Sequence, residues 1–288
     1  MLLKPALSFQ DQVETLKAKN LYIKDYQIAF DYLTQNNYYH LNKYFHHFMD
    51  PQGIFFPGTT FDKFIEINEN DKFLRNSLFR LIDPIEIKLK TVTSNYLGLK
   101  YGSKCFYDDS FSKDAKFWVG NFASIMNSVF RDCSNPVVDW HIRSYDGKFP
   151  IWVIMEFATF SSISKYFSNL KSEITNEIGK LHYKHIKGFV LSSWFKSISM
   201  LRNKTAHGSQ LFMEKYSSLP MIPSFLHFPS SVDDGLFAIM FVMKTISNPL
   251  DWNACISIID ERDNKTRFLD ENYGFPVDWR KILLSNHA

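Results

Sequence analysis

The stretch TFDKFIEINENDKFLRNSLFRLIDPIEIKLKTVTSNYL, Thr60 to Leu97, decides the fold class. Leu74, Leu78, Leu81, Ile85, Leu89, Val92 and Tyr96 recur three or four residues apart, the spacing that lines side chains along one face of an α-helix. Pro84 is expected to kink or divide this helix, because proline lacks the N–H of an intrahelical bond and crowds the preceding turn. Gly98 and Gly102 are expected to end it.

Outward from this stretch the period stays helical. Ser8, with Asp11 three residues on, has the pattern of a capping box opening a first helix through Val13 and Leu16. Leu41, Tyr44, Phe45 and Phe48 recur at helical spacing until Asp50-Pro51-Gln52-Gly53 and Phe56-Pro57-Gly58 interrupt the chain. Further helices are expected over Asp114 to Phe130, Pro150 to Leu170, Glu173 to Ile186 and Phe189 to Ala206, with Pro150 suited to a first helical turn. Turn residues between Arg131 and Phe149 predict a short hairpin. Ser217 to Pro229, rich in Pro and Ser, reads as a long loop. A helix with Asp233 and Asp234 near its start follows, and another after Asn248-Pro249. The expected architecture is all-α: an N-terminal helical segment (1–58), a helical core (59–216) and a C-terminal helical extension (217–288), compatible with one continuous globular unit.

Composition narrows the function. A chain of 288 residues that is 45% hydrophobic and 17% aromatic can bury one large core. A net charge of +3 is modest, so nucleic-acid affinity would have to come from clustered charge. Cys105, Cys133 and Cys255 are isolated, which argues against a disulfide framework or a thiolate zinc site and for a reducing cytoplasm. Lys4-Pro5 and Asp11 interrupt any signal-peptide core, and the run Leu236 to Met243 is too short to span a bilayer, so no membrane partner is expected. The chain has no nucleophile elbow, phosphate-binding loop, dinucleotide fingerprint or H-E-x-x-H pair, and no cofactor is expected.

What remains is the run Arg202-Asn203-Lys204-Thr205-Ala206-His207. From Ile178 to Met213 there is no Asp or Glu, while Lys180, Lys184, Lys187, Lys196, Arg202 and Lys204 supply positive charge, with His182, His185 and His207 able to add more. Such a field favours a polyanion, and the five lysines are candidate RNA contacts. Arg202 can donate two hydrogen bonds to the oxygens of one phosphate. His207, with an ordinary imidazole pKa of about 6.5, can move a proton at neutral pH. Asn203 shares a helical face with His207 and can orient the imidazole or touch phosphate. These groups suit cleavage of RNA without a metal, by attack of a ribose 2′-hydroxyl on the adjacent phosphate. A second Arg-to-His spacing, Arg280 to His287, reads as accidental, because a terminal His is not held in a site. On a straight helix Arg202 and His207 diverge by about 140°. Either the helix unwinds between Ala206 and Gly208, or a second subunit completes a twofold composite site, which is the preferred reading.

Plainer roles compete for other residues. His182 and His185 read as an exposed helix face with no closing metal ligand, and His46 and His47 cannot point the same way. Glu86 and Glu156 read as salt-bridge or helix-surface residues, and Tyr38, Tyr39, Tyr44 and Trp152 as core rather than base-stacking side chains.

Several blocks in order give the chain a family resemblance: Lys4-Pro5, Asn37-Tyr38-Tyr39 with Leu41 and Tyr44, Gly58-Thr59-Thr60-Phe61, Ile85-Glu86-Ile87, Tyr101-Gly102, Pro150-Ile151-Trp152-Val153 with Glu156, Leu201-Arg202-Asn203 with Ala206-His207, and Gly274-Phe275-Pro276 with Trp279. In these the chain resembles the Abi-like abortive infection family, the AbiD/AbiF group of bacterial phage-resistance proteins, and through it the HEPN ribonuclease superfamily. It departs where the family often has a second His and an Arg, here Gly208 and Gln210. The resemblance implies a HEPN-like helical bundle that dimerises with its Arg and His motif in the cleft between subunits. It also implies a metal-independent endoribonuclease toxin, with RNA as substrate and a small regulatory RNA as antitoxin or guide. The alternatives are a member that holds such an RNA without cutting it, and a protein that inhibits a phage or host component.

Overall fold

Phe61–Tyr101 forms one helix of 41 residues, α4, about 60 Å long at the usual rise. Thr60 caps its start by accepting from the Lys63 amide, and Gly102, at φ 88°, ends it. Gly98 lies inside it. Pro84 does not divide it: the helix runs through, and the only intrahelical bond proline must forgo is the one to the Arg80 carbonyl. The apolar stripe meets partners on both sides of Pro84, since α4 packs against six other helices. Arg80 and Pro84 themselves border an open groove, and it is the buried side chains on either side, Leu78, Leu81, Ile82 and Ile85, that keep the helix continuous.

The computed structural model describes residues 5–229 and 235–285, in which thirteen α-helices and no strand occur. Three precede α4: α1 (Phe9–Ala18), with the Ser8/Asp11 capping box in place, α2 (Tyr26–Gln35) and α3 (Tyr38–Phe45). After it come α5 (Ala115–Arg131), α6 (Pro136–Tyr145), α7 (Ile151–Glu156), α8 (Phe160–Asn169), α9 (Ser172–His182) and α10 (Gly188–Ala206). The chain closes with α11 (Leu236–Ile246), α12 (Pro249–Thr266) and α13 (Trp279–Leu283). Lys4, Asp233, Asp234 and His287 lie outside the described residues. The segment Ser217 to Pro229 is the expected loop, with one 3₁₀ turn at Ser224–Leu226.

The expected hairpin between 131 and 149 is instead α6. Asn135 accepts from the Val137 amide and Pro136 occupies the first turn, a pairing that starts helices, while Asp146 (φ 51°) and Gly147 (φ 69°) make the turn out of it. The helix expected over Pro150 to Leu170 is broken into α7 and α8, because Thr159 caps a new start through the Ser162 amide. α9 ends at His182 rather than Ile186, as Lys184 (φ 51°) and His185 (φ 61°) both turn left-handed, so the two histidines do not share a helix.

α10 sets the position of the motif. It packs against α4, α8, α9 and α11, burying Leu191, Trp194, Phe195, Ile198 and Leu201. One stripe is left exposed, through Phe189, Lys196 and Asn203, seven residues apart. Leu41, Tyr44 and Phe45 of α3 lie in the same apolar core as these residues and as Val13, Leu283 and Trp279 at the ends of the described chain.

Candidate functional site

α10 remains helical through Ala206, and His207 is its C-cap, its amide donating to the Asn203 carbonyl at 3.0 Å. Gly208 then takes φ 63°, and the Ser209 amide reaches back to the Lys204 carbonyl at 2.9 Å, the six-residue closure that left-handed glycine permits at a helix end. The reversal therefore comes after His207, and the divergence of about 140° from Arg202 is retained. Asn203 and His207 are both exposed, one turn apart on the solvent stripe. Neither side chain has a hydrogen-bond partner among the described residues, so both are available to a ligand.

Arg202 points elsewhere. Its Nε lies 3.8 Å from Glu86 Oε2, and its guanidinium sits over the Phe79 ring at 5.7 Å. Glu86 also holds Lys90 at 2.9 Å and is buried, so the residue weighed as a surface or salt-bridge carboxylate is the buried anchor of two cations. The motif still converges on one stretch of α4. Arg75 donates to the Ser209 carbonyl at 3.2 Å, and Phe79, one turn along, receives Arg202, a separation of about 6 Å along the axis.

Two further groups of α4 and α3 hold the turn. Asp71, fully buried, accepts from Arg75 at 2.8 Å, the Tyr44 hydroxyl at 2.7 Å, and the Leu211 and Phe212 amides at 3.0 Å each. Its four bonds pin the chain just beyond the motif to α4, and with four donors its buried charge is well supported. From α3, Lys43 donates to the Gly208 carbonyl at 3.0 Å, and His40 Cε1 lies 3.9 Å from where a Cβ on Gly208 would stand. His47 meets the Gln210 side chain at 2.8 Å, and Gln210 also donates to the Phe212 carbonyl. Burial, and then the nearby Arg75 charge, bring the Lys43 ammonium down to about 8. Burial first, then Lys43 and Arg75, hold the His40 imidazole below its ordinary value, and burial with His46 does the same for His47. Sequence reasoning passed over His40, Lys43, Asp71 and Arg75. The available signals were an Asp–Arg pair at i,i+4 beside an apolar face and a His–Lys pair at i,i+3 on α3.

The candidate lysines do not gather at this site. Lys196 is exposed on the same stripe as Asn203, about 16 Å along the axis from His207. Lys187 is the N-cap at the far end of α10, about 30 Å away, and Lys180 lies on α9, beside the start of α10. Lys184 instead borders, with Lys88 and His182, a groove between α4 and the α11–α12 connection. Lys204 is ion-paired to Glu214 at 2.7 Å, the first acid after the acid-free stretch folding back onto it. Charge beside the motif's turn comes instead from Lys43 and Arg75, bonded to the Gly208 and Ser209 carbonyls, and these two with Lys72 also act on His40. Two of the aromatic residues read as core are not: Tyr39 is 77% and Trp152 54% exposed, whereas Tyr44 is buried. Trp152 lies with one edge against Gly98, 3.4 Å from where a Cβ would stand. No group of three potential metal ligands occurs among the described residues.

The sequence profile of the Abi-like protein family matches residues 31–213, more than half of the chain, including His40, Lys43, Asp71, Arg75 and the run from Arg202 to His207. The chain belongs to the Abi-like protein family. No curated protein and no solved structure matches it. Membership supports a part for this Abi-like protein in abortive infection, the defence against phage. Among its described residues no helix is long and apolar enough to cross a membrane.

Proposed function

We propose that this Abi-like protein is a metal-independent endoribonuclease of the HEPN type, a toxin that cleaves RNA by 2′-hydroxyl attack. The observation that carries this reading is the exposed, unpartnered Asn203–His207 pair at the end of α10, followed by a turn that Lys43 of α3 and Arg75 of α4 bind, one turn of α4 from Arg202. His207 transfers a proton, a role typically worth about 10² to 10⁴ in rate. Asn203 orients the imidazole or contacts phosphate. Arg202 stabilises charge on the non-bridging oxygens once phosphate displaces the long contact to Glu86. Lys196, on the same stripe, extends the RNA track away from the site, and a homodimer brings the Arg202 of one subunit toward the His207 of the other.

Purified protein incubated with RNA in EDTA, beside Arg202→Ala and His207→Ala proteins, tests this. The expected products carry a 2′,3′-cyclic phosphate and a 5′-hydroxyl, and deoxyribose at the scissile position stops the cut. Undiminished cleavage by a folded His207→Ala protein, or a strict need for Mg²⁺, counts against the assignment.

A further inference from the structure

A site that cleaves by 2′-hydroxyl attack needs two proton transfers, one from the attacking hydroxyl and one to the leaving oxygen. The motif supplies one imidazole per chain. A second stands beside it: His40, on α3, faces Gly208, the residue after His207, at 3.9 Å from the position of an added Cβ. Lys43, one turn later on α3, donates to the carbonyl of the same glycine at 3.0 Å. α3 is therefore fastened to the motif's own turn.

His40 differs from the other partly buried imidazoles. His141 is held by the Val137 carbonyl at 2.7 Å and His47 by Gln210 at 2.8 Å. A half-buried imidazole with a structural role would be satisfied in that way. His40 has no hydrogen-bond partner among the described residues, and its ring meets Tyr44 of the same helix edge-on, at 6.4 Å between centroids. The groups that face it are Lys43 on its own helix and Lys72, Arg75 and Asp71 on α4. Asp71 is already taken by four donors, so the field at His40 is positive on balance. A phosphate is welcome in that field, and the neutral imidazole is favoured over the charged one.

We propose that His40 is the second proton-transfer group of the site, paired within one chain with His207, an assignment that rests on the ribonuclease reading. His40 takes the proton of the 2′-hydroxyl as the 2′-oxygen bonds to phosphorus. The bond from phosphorus to the 5′-oxygen breaks, and that oxygen receives a proton from the His207 imidazolium. The products are a 2′,3′-cyclic phosphate and a 5′-hydroxyl, with one proton moved from His207 to His40 and no oxidant or metal in the balance. The more enclosed imidazole is the base and the exposed one the acid.

Single-turnover cleavage of a short RNA oligonucleotide by the wild-type protein and by His40→Ala, His40→Gln and His207→Ala proteins, across the neutral pH range, tests this. Both His40 variants are expected to melt as the wild type does and to cut about 10² to 10⁴ times more slowly. Added imidazole is expected to restore part of the activity of His40→Ala, and the acid limb of the pH–rate profile to vanish in it. Wild-type rates in His40→Ala, or recovery by His40→Gln without any recovery by imidazole, overturn the inference. Cleavage that depends on His207 and not on His40 overturns it alone, whereas RNA left uncut by the wild-type protein overturns the ribonuclease reading and His40 with it.

Discussion

At Lys43 the surroundings decide the charge. Its ammonium, enclosed and beside Arg75, loses its proton at about 8, well below an exposed lysine. The unfolded chain then binds more protons than the folded one between about 8 and the ordinary lysine value. Folding stability from this residue therefore rises with pH through that window and is level below it. RNA binding runs the other way, since a neutral Lys43 no longer attracts phosphate beside Gly208. Wild-type affinity for a short RNA, measured by filter binding, is expected to fall about three- to tenfold as pH is raised past 8. A Lys43→Arg protein, charged throughout, is expected to show no such fall, and an equal fall in both would remove Lys43 from the binding surface.

Among elements, α9 and the start of α10 meet closely at two glycines. A Cβ on Gly188 would fall 2.1 Å from Thr175 Oγ1 and 2.8 Å from the Thr175 backbone carbon, and one on Gly179 would fall 2.0 Å from the Ile186 carbonyl oxygen. Neither helix can yield without moving its backbone. Gly188→Ala is expected to cost about 3 kcal/mol and to lower the melting temperature by about 5 °C. Because α10 carries Arg202, Asn203 and His207, cleavage is expected to fall at temperatures well below that melt; a variant that melts as the wild type does would contradict the packing.

The same scale shows which parts of the sequence were legible. The period along Thr60 to Leu97 announced α4, and Ser8 with Asp11 announced α1, because apolar spacing and side-chain capping are local. Asn135-Pro136 and Thr159 are equally local, but they were outweighed by nearby turn residues in one case and by an unbroken apolar run in the other. At the site, Arg202, Asn203 and His207 could be read from one segment. His40, Lys43, Asp71 and Arg75 meet that segment only through bonds spanning more than a hundred residues, as from Arg75 to Ser209 and from Lys43 to Gly208. Pairing of that kind leaves no period to read. For the same reason the acid-free stretch looked like one patch, although α10 spreads its lysines over about 26 Å and Glu214 returns to neutralise Lys204.

For the molecule as a whole, the retained divergence of Arg202 and His207 gives a test of assembly. If each cleft takes Arg202 from one subunit and the His40–His207 pair from the other, an equal mixture of Arg202→Ala and His207→Ala proteins contains half mixed dimers, each with one complete cleft. After subunit exchange the mixture is expected to regain about a quarter of the wild-type rate. If both groups act from one chain, no mixed particle holds a complete set and the mixture stays inactive. Recovery is read against each variant alone, and a wild-type protein that sediments as a monomer at full specific activity excludes the shared cleft.

α4 reaches its last residue at Tyr101, but α10 begins only at Gly188 and α12, another of its neighbours, runs to Thr266. During synthesis, at about 5 to 20 residues per second, the last residue of α4 is added some 4 to 17 seconds before the first of α10. Over that interval α3, α7, α8 and α9 can already pack on α4, while the part of its surface that α10 and α12 cover stays exposed. A ribosome that stalls between the two helices releases a polypeptide that carries α3 and α4 but no His207. The Asn203–His207 pair can therefore join α3 and α4 only after more than two thirds of the chain has been translated.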